Sequence, residues 1–263
     1  MANQLAVVTG ASMGIGYNLA KVFAENGFDL VIAANDDKLS KAEADFQGMG
    51  VQVKSVNVDL ATYDGVKSFW AEVEALGRPV DAIAVNAGFG VGGLFVETSL
   101  DDEIASVRTN VEGTVHLTKY AVQHMVKRGA GRILITSSIA GEMVAPREAV
   151  YAATKAFDLS FAKSLRSELE DTGVTVTALQ PGPTDTNFFH RAGMDDTEVG
   201  TKGKKSSDPY DVAKQGFKAL MAGDKHVYAA DLKTKFQGAV ANLVPDEVKA
   251  SMHESMAKPL REK

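Results

Sequence analysis

The stretch Thr9-Gly10-Ala11-Ser12-Met13-Gly14-Ile15-Gly16 constrains this chain more than any other. It follows a short apolar run, Gln4 to Thr9, and opens a helical pattern running from about Ile15 to Asn26. A strand that turns this tightly into a helix belongs to a βαβ unit. Its glycines let a ligand approach the backbone, and the helix N-terminus offers unpaired N–H groups with a partial positive charge. Glycines also serve tight turns that bind nothing. It is their place at the first strand-to-helix junction that makes Gly10, Ser12, Met13, Gly14, Ile15 and Gly16 candidates for holding a nucleotide. The three residues between the first two glycines depart from the common dinucleotide spacing.

The alternation continues to the end of the chain. Strands are expected at 30–34, 51–58, 80–85, 132–136, 174–179 and 226–230, and helices at 39–47, 63–76, 100–127 (irregular near Gly113), 149–171 and 211–221. Such a pattern implies right-handed crossovers and a parallel sheet covered on both faces. No linker or repeat divides the 263 residues, so residues 1–263 are expected to form one domain. Residues 188–208, rich in Gly, Asp, Lys and Ser, read as a mobile excursion. The region from Lys233 onward is helical by pattern and offers no chemical clue, Met252 and Met256 reading as packing or a subunit contact.

Tyr151 and Lys155 stand four apart on one expected helix face, so phenol and ammonium can enter one site. A nearby ammonium favours the phenolate and lowers the tyrosine pKa from its ordinary value of about 10. An isolated pair at this spacing would be an ordinary amphipathic contact. This one is preceded by Ser138, at the C-terminal end of an expected strand, where open α/β sheets bind ligands. Together, the TGxxxGxG at 9–16, NAG at 86–88, Ser138 with YxxxK at 151–155, and PG at 181–182 make the chain resemble the short-chain dehydrogenase/reductase family.

The resemblance implies an α/β fold of the Rossmann type, a doubly wound parallel sheet of about seven strands, with residues 188–208 as the substrate lid. It implies an oxidoreductase that interconverts a secondary alcohol and a ketone or aldehyde. Tyr151 would be the general acid and base, and Lys155 would hold the cofactor ribose and lower the phenol pKa. Ser138 would bind the substrate oxygen, and Asn110 would hold a water in a proton relay. The cofactor contacts it implies are Asp59 and Leu60 at the adenine, Asn86, Ala87 and Gly88 at the adenosine ribose, and Pro181, Gly182, Thr184 and Thr186 near the nicotinamide, beside Tyr151 and Lys155. A non-catalytic dinucleotide-binding regulator on the same fold is the alternative, although a sensor would need the glycine turn and not the four catalytic positions.

The residues after the second strand favour NAD, with NADP as the alternative. Ala34 stands where NAD users of the family carry an acid, and Asn35 where NADP users carry an arginine. Asn35 or Asp36 could accept from a ribose 2′-hydroxyl, whereas Asp36 and Asp37 would repel a 2′-phosphate. These acids also suit the start of a helix. The pocket for substrate is expected between 89–94, 139–144 and the lid, apolar apart from Glu142. That points to a neutral, fairly hydrophobic carbonyl or secondary alcohol as the small-molecule partner.

A net charge of −6 argues against nucleic acid, and the short basic run Lys202 to Lys205 reads as a solvated loop. With no cysteine, disulfides and thiolate chemistry are absent. The five histidines lack metal-ligand spacing, so no metal is expected. Neither a secretory leader nor a membrane span is evident in the pattern, which makes a cytoplasmic protein the expectation. A homo-oligomer, dimer or tetramer, is implied by the family resemblance.

Overall fold

Every residue of Leu5–Thr9 is buried, as a strand covered on both faces requires. The computed structural model describes residues 3–201, 207–229 and 245–262. Within them β1 (Leu5–Thr9), β2 (Asp29–Ala34), β3 (Val53–Asn57), β4 (Ala82–Val85), β5 (Gly131–Thr136), β6 (Val174–Pro181) and β7 (His226–Ala229) form one sheet in the order β3-β2-β1-β4-β5-β6-β7. All six pairings are parallel. Side chains alternate between two cores. Val7, Val31, Ile83, Ile133 and Val176 enter one, and Val8, Leu30, Ile32, Ala84 and Leu134 the other. The doubly wound sheet expected from the sequence is the fold observed.

The crossovers are helical: α1 (Gly14–Glu25), α2 (Leu39–Gln47), α3 (Tyr63–Glu74), α4 (Leu100–Val107), α5 (Thr114–Arg128), α6 (Ala149–Glu168), α7 (Phe188–Arg191), α8 (Pro209–Ala222) and α9 (Asp246–Ala257). Local chemistry fixes several starts. Thr62 accepts from the Gly65 N–H at α3, Ser99 from Asp102 at α4, and Asp208 from Tyr210 at α8. Because chain direction reverses its lateral march between β1 and β4, a crevice opens beyond the C-terminal ends of those strands.

The irregularity expected near Gly113 is a π-helical turn, Arg108–Gly113, between α4 and α5. There a Cβ on Gly113 would come within 2.5 Å of the Leu60 carbonyl oxygen, so the turn packs directly on the loop after β3. The helix expected to reach residue 171 stops at Glu168. Strand β6 continues to Pro181 rather than ending at Leu179. Its pairing with β5 ends at Leu179 while that with β7 runs on to Ala229, so the missing proline N–H breaks no bond to β5.

The excursion after β6 also differs from a bare loop. Ala192, Met194 and Val199 form a small core with Ala257, against which Phe188, Phe189 and Met256 pack. Lys202 to Ser206, including the basic run, and residues 230–244, which hold Ala230 and the start of the expected C-terminal helical region, lie outside the described residues. No helix among the described residues is long and apolar enough to cross a membrane. Trp70 is core, stacked on Tyr120 at 6.0 Å.

Candidate active site

The glycine turn forms one end of a cleft along the switch point. Gly10 and Gly14 have φ of +67° and +59°, and a Cβ on Gly16 would sit 2.1 Å from the Gly10 carbonyl oxygen. Only glycines permit this approach. The N-terminus of α1 has no side-chain cap and no acidic residue in its first turn, so its backbone N–H groups are left for whatever enters the cleft. Behind the turn, the Thr9 hydroxyl accepts from the Asn86 N–H (2.9 Å) and the Ala87 N–H (3.0 Å). Asn86 Nδ2 donates to Thr9 O at 3.1 Å and its Oδ1 accepts from Thr136 at 3.1 Å. Asn86 therefore ties β1, β4 and β5 together.

At the far end of the turn, the Ser12 hydroxyl donates to Asp36 Oδ2 at 2.6 Å, and Asp36 Oδ1 accepts from the Lys38 N–H at 2.9 Å. Asp36 thus organises the entry to α2, as its alternative reading had it, and also holds a carboxylate against the glycine turn. Asn35, Asp59 and Leu60 line the same end. Thr184 donates to the Gly182 carbonyl at 2.8 Å, and Thr186 accepts from the Phe188 N–H at 3.2 Å. Thr186 packs on Gly14, whose added Cβ would lie 3.3 Å from its methyl group, so the segment after β6 closes over the glycine turn.

The other end holds the Ser-Tyr-Lys group. The Ser138 hydroxyl accepts from the Ala140 N–H at 3.1 Å and donates weakly to Pro181 O at 3.5 Å. Tyr151 packs against Phe188 with ring centroids 5.0 Å apart and the rings tilted by 50°, and a Cβ added on Gly90 would meet both rings at 2.9–3.0 Å. Lys155 donates to Thr136 O at 2.8 Å and pairs with Asp158 Oδ2 at 3.0 Å, its Nζ 6.0 Å from the Tyr151 ring centre. Ser137 fixes the Lys155 backbone through its carbonyl at 2.6 Å.

The electrostatics run against one expectation. Tyr151 keeps part of its surface open to the cleft, yet desolvation pushes its phenol above the ordinary tyrosine value, and the charges of Glu148 and Asp158 add to the rise. Only the Ser138 hydroxyl beside it works the other way. Desolvation outweighs the lowering expected from Lys155, whose ammonium is paired with Asp158, a carboxyl itself pushed up by burial.

Every expected site residue lines this one cleft except Asn110. Fully buried on the π-helical turn, Asn110 donates to Phe89 O (2.9 Å) and Thr154 Oγ1 (3.0 Å) and accepts from the Phe89 N–H (3.1 Å). It locks the loop after β4 to α6 from behind the cleft wall.

The substrate end differs from the expected pocket. Glu142 is not part of its lining. It accepts from Gln180 (3.0 Å) and Tyr228 (3.0 Å), and burial with that carboxylate pushes the Tyr228 phenol up to about 12. The charged groups that face the cleft there are Glu148, Arg191 and His253, with Met252 and Met256 beside them. The methionines are therefore cleft lining, and α9 does carry a chemical group. Among the described residues, no three His, Asp or Glu side chains are gathered as metal ligands.

A doubly wound sheet of this order, with a glycine turn at its switch point, defines a Rossmann-type protein. The short chain dehydrogenase family model matches residues 4–197, and the chain belongs to that family. It is 30% identical to Oxidoreductase UcpA of Salmonella typhimurium, over 94% of this chain and 97% of that one. It is 28% identical to the dehydrogenase/reductase SDR family protein 7-like of Drosophila melanogaster, over 92% and 77%. Among solved structures it resembles a Burkholderia phymatum short chain dehydrogenase/reductase in complex with NAD, with TM-score 0.81, 24% identity and coverage of 92% and 95%. It also resembles a Sphingobium yanoikuyae short-chain dehydrogenase in complex with NADPH, with TM-score 0.79, 26% identity and coverage of 91% and 94%.

Proposed function

We propose that this protein is a nicotinamide dinucleotide-dependent oxidoreductase that interconverts a small ketone or aldehyde and the corresponding alcohol, with Tyr151 as the proton donor and acceptor. The observation that carries this reading is the single cleft joining an uncapped, glycine-lined helix N-terminus at one end to Ser138, Tyr151 and Lys155 at the other. The fit to a dinucleotide is physical. The free N–H groups of α1 suit a diphosphate, and the Ser12–Asp36 pair suits a ribose hydroxyl. When bound, the reduced nicotinamide supplies the hydride that goes to the carbonyl carbon.

The chain's own residues do the rest. Ser138 donates a hydrogen bond to the carbonyl oxygen, where negative charge develops. Tyr151 gives that oxygen its phenolic proton, and the product is the alcohol; in oxidation it takes the proton back. Lys155 has three N–H donors, two of them used by Thr136 and Asp158, so one is left for a ribose hydroxyl in the cleft. Asn110 acts through the Phe89 loop rather than by facing the reactants. NAD is the preferred cofactor, because the Asp36 carboxylate held at the turn repels a 2′-phosphate.

We also assign a homo-oligomer. Leu100, Ile104 and Phe157, on α4 and α6, leave apolar surface exposed, as does Phe95 beside them.

A spectrophotometric assay tests the main reading, following NADH and NADPH separately against aliphatic and aromatic ketones. Ketone-dependent oxidation is expected, with NADH preferred. Tyr151→Phe should lower turnover at least about a hundredfold while leaving cofactor affinity nearly intact. Cofactor binding without consumption, in either direction, would refute the catalytic reading.

A further inference from the structure

Glu148 lies three residues before Tyr151 and shares its helix face at the mouth of α6. It is 5% exposed, and its Oε2 meets Nε2 of His253, itself 7% exposed, at 3.1 Å. The other imidazole nitrogen, Nδ1, lies 3.0 Å from the Pro146 carbonyl oxygen. A carbonyl only accepts, so Nδ1 carries a proton. The contact on the other side then needs one more proton between imidazole and carboxylate, and wherever that proton sits the pair is neutral as a whole.

The pair is held firmly. Arg147, next to Glu148, adopts φ of +67°, a strained conformation for a side chain of its size, and its guanidinium pairs with Glu254 and Glu262, each at 2.9 Å. Helix α9 is thereby pinned to the start of α6, and His253 is fixed against Glu148. One carboxylate oxygen is taken by His253. Among the described residues no donor is found for the other, Oε1, although Glu148 lines the cleft beside Tyr151.

A carboxylate oxygen that opens onto a substrate site with no protein donor is free to accept from the substrate. We infer that Glu148 is a specificity residue whose Oε1 accepts a hydrogen bond from a second hydroxyl of the substrate, so that the substrate class is the small hydroxy ketone, with its diol as the reduced product. This rests on the oxidoreductase reading and narrows it. Two features select a hydroxyl over an ammonium group. The Glu148–His253 pair has no net charge with which to attract a cation. Arg191, whose guanidinium stacks over Phe89 at 4.9 Å, adds positive charge at the same end. Met143, Met252 and Phe188 supply apolar wall for the carbon skeleton. The overall reaction balances simply. The carbonyl carbon gains a hydride from the reduced cofactor, its oxygen gains the Tyr151 proton, and the second hydroxyl is unchanged.

The test uses matched substrates: hydroxyacetone against acetone, and α-hydroxyacetophenone against acetophenone, each with the full chain and its preferred cofactor. The wild-type ratio of kcat/KM, hydroxylated over plain, should be at least about tenfold, the worth of one hydrogen bond to a charged acceptor. In Glu148→Leu that ratio should fall to about one, mainly through KM of the hydroxylated member. Loss of packing alone would lower both members together and leave the ratio unchanged. Glu148→Met, which keeps the length but offers no oxygen acceptor, provides the same reading if the leucine variant does not fold, with a ratio well below wild type. A wild-type ratio near one, or a ratio untouched in either variant, would overturn the inference while the oxidoreductase reading stood. Failure to reduce any of the four ketones would refute that reading instead.

Discussion

Asn110 provides the sharpest test of how the cleft wall is held. Substitution by alanine removes an amide that is fully buried and bonded on both sides. Its partners lose unequally. The Phe89 carbonyl retains the Ser106 hydroxyl at 2.9 Å, and Thr154 still donates to the Tyr151 carbonyl at 2.7 Å. The Phe89 N–H keeps no acceptor. One orphaned buried donor costs about 1–3 kcal/mol, and the space left by the amide adds about 1 kcal/mol. The expected loss is therefore about 2–4 kcal/mol, which for a domain of this size lowers Tm by about 5–15 °C. Activity should fall as well, because the freed loop carries Gly88 and Gly90, which pack on Lys155 and Tyr151. Asn110→Asp should be no better, since it presents an oxygen where Nδ2 faced three acceptors. Thermal unfolding followed by circular dichroism, with kcat measured on the same samples, checks both. A Tm within about 2 °C of wild type would refute the claim that this amide locks the loop.

Two further substitutions address the cofactor end. Gly16→Ala places a methyl group 2.1 Å from the Gly10 carbonyl oxygen and should abolish dinucleotide binding by titration calorimetry; retained affinity would show that the turn can relax. Asp36→Ser removes the carboxylate bonded to Ser12 and should raise the NADPH-to-NADH ratio of kcat/KM at least about tenfold, with an unchanged ratio counting against the role given to Asp36.

The sequence disclosed the frame and most of the cleft because both are local in the chain. The glycine turn, the strand that feeds it and the YxxxK helix each announce themselves within a dozen residues, and hydrophobic periodicity places them. What stayed hidden depends on contacts between distant segments. Glu148 and His253 are separated by α6, β6, α8 and β7, and a lone histidine near the C-terminus looks like any surface residue. Asp158 reads as the polar face of an amphipathic helix until the fold buries it against Lys155. Glu142 looked like the pocket's charge because it sits next to the expected substrate loop, but Gln180 and Tyr228 draw it to the other side. Asn110 was legible as a site residue, yet its buried position behind the wall was not, because it follows from the π-helical turn.

The Lys155–Asp158 pair bears directly on how Tyr151 works. With desolvation as the first cause and the Glu148 and Asp158 carboxylates as further ones, the phenol stays protonated through the neutral range. On the proposed mechanism it is ready to donate in reduction. In alcohol oxidation the base form is required, so the rate should climb with pH through the alkaline range, the direction set by a raised phenol pKa. Asp158→Asn keeps an acceptor for Lys155 Nζ but removes the charge that opposes it. Unit charges at the 6.0 Å that separates Nζ from the Tyr151 ring interact by about 3 kcal/mol at an effective dielectric of about 20. Asp158 cancels part of that attraction in the wild type, so its loss should stabilise the phenolate and move the alkaline limb of kcat/KM down by about one pH unit. A limb that stayed in place, or moved upward, would mean that Asp158 only holds the lysine and does not set the proton affinity of Tyr151.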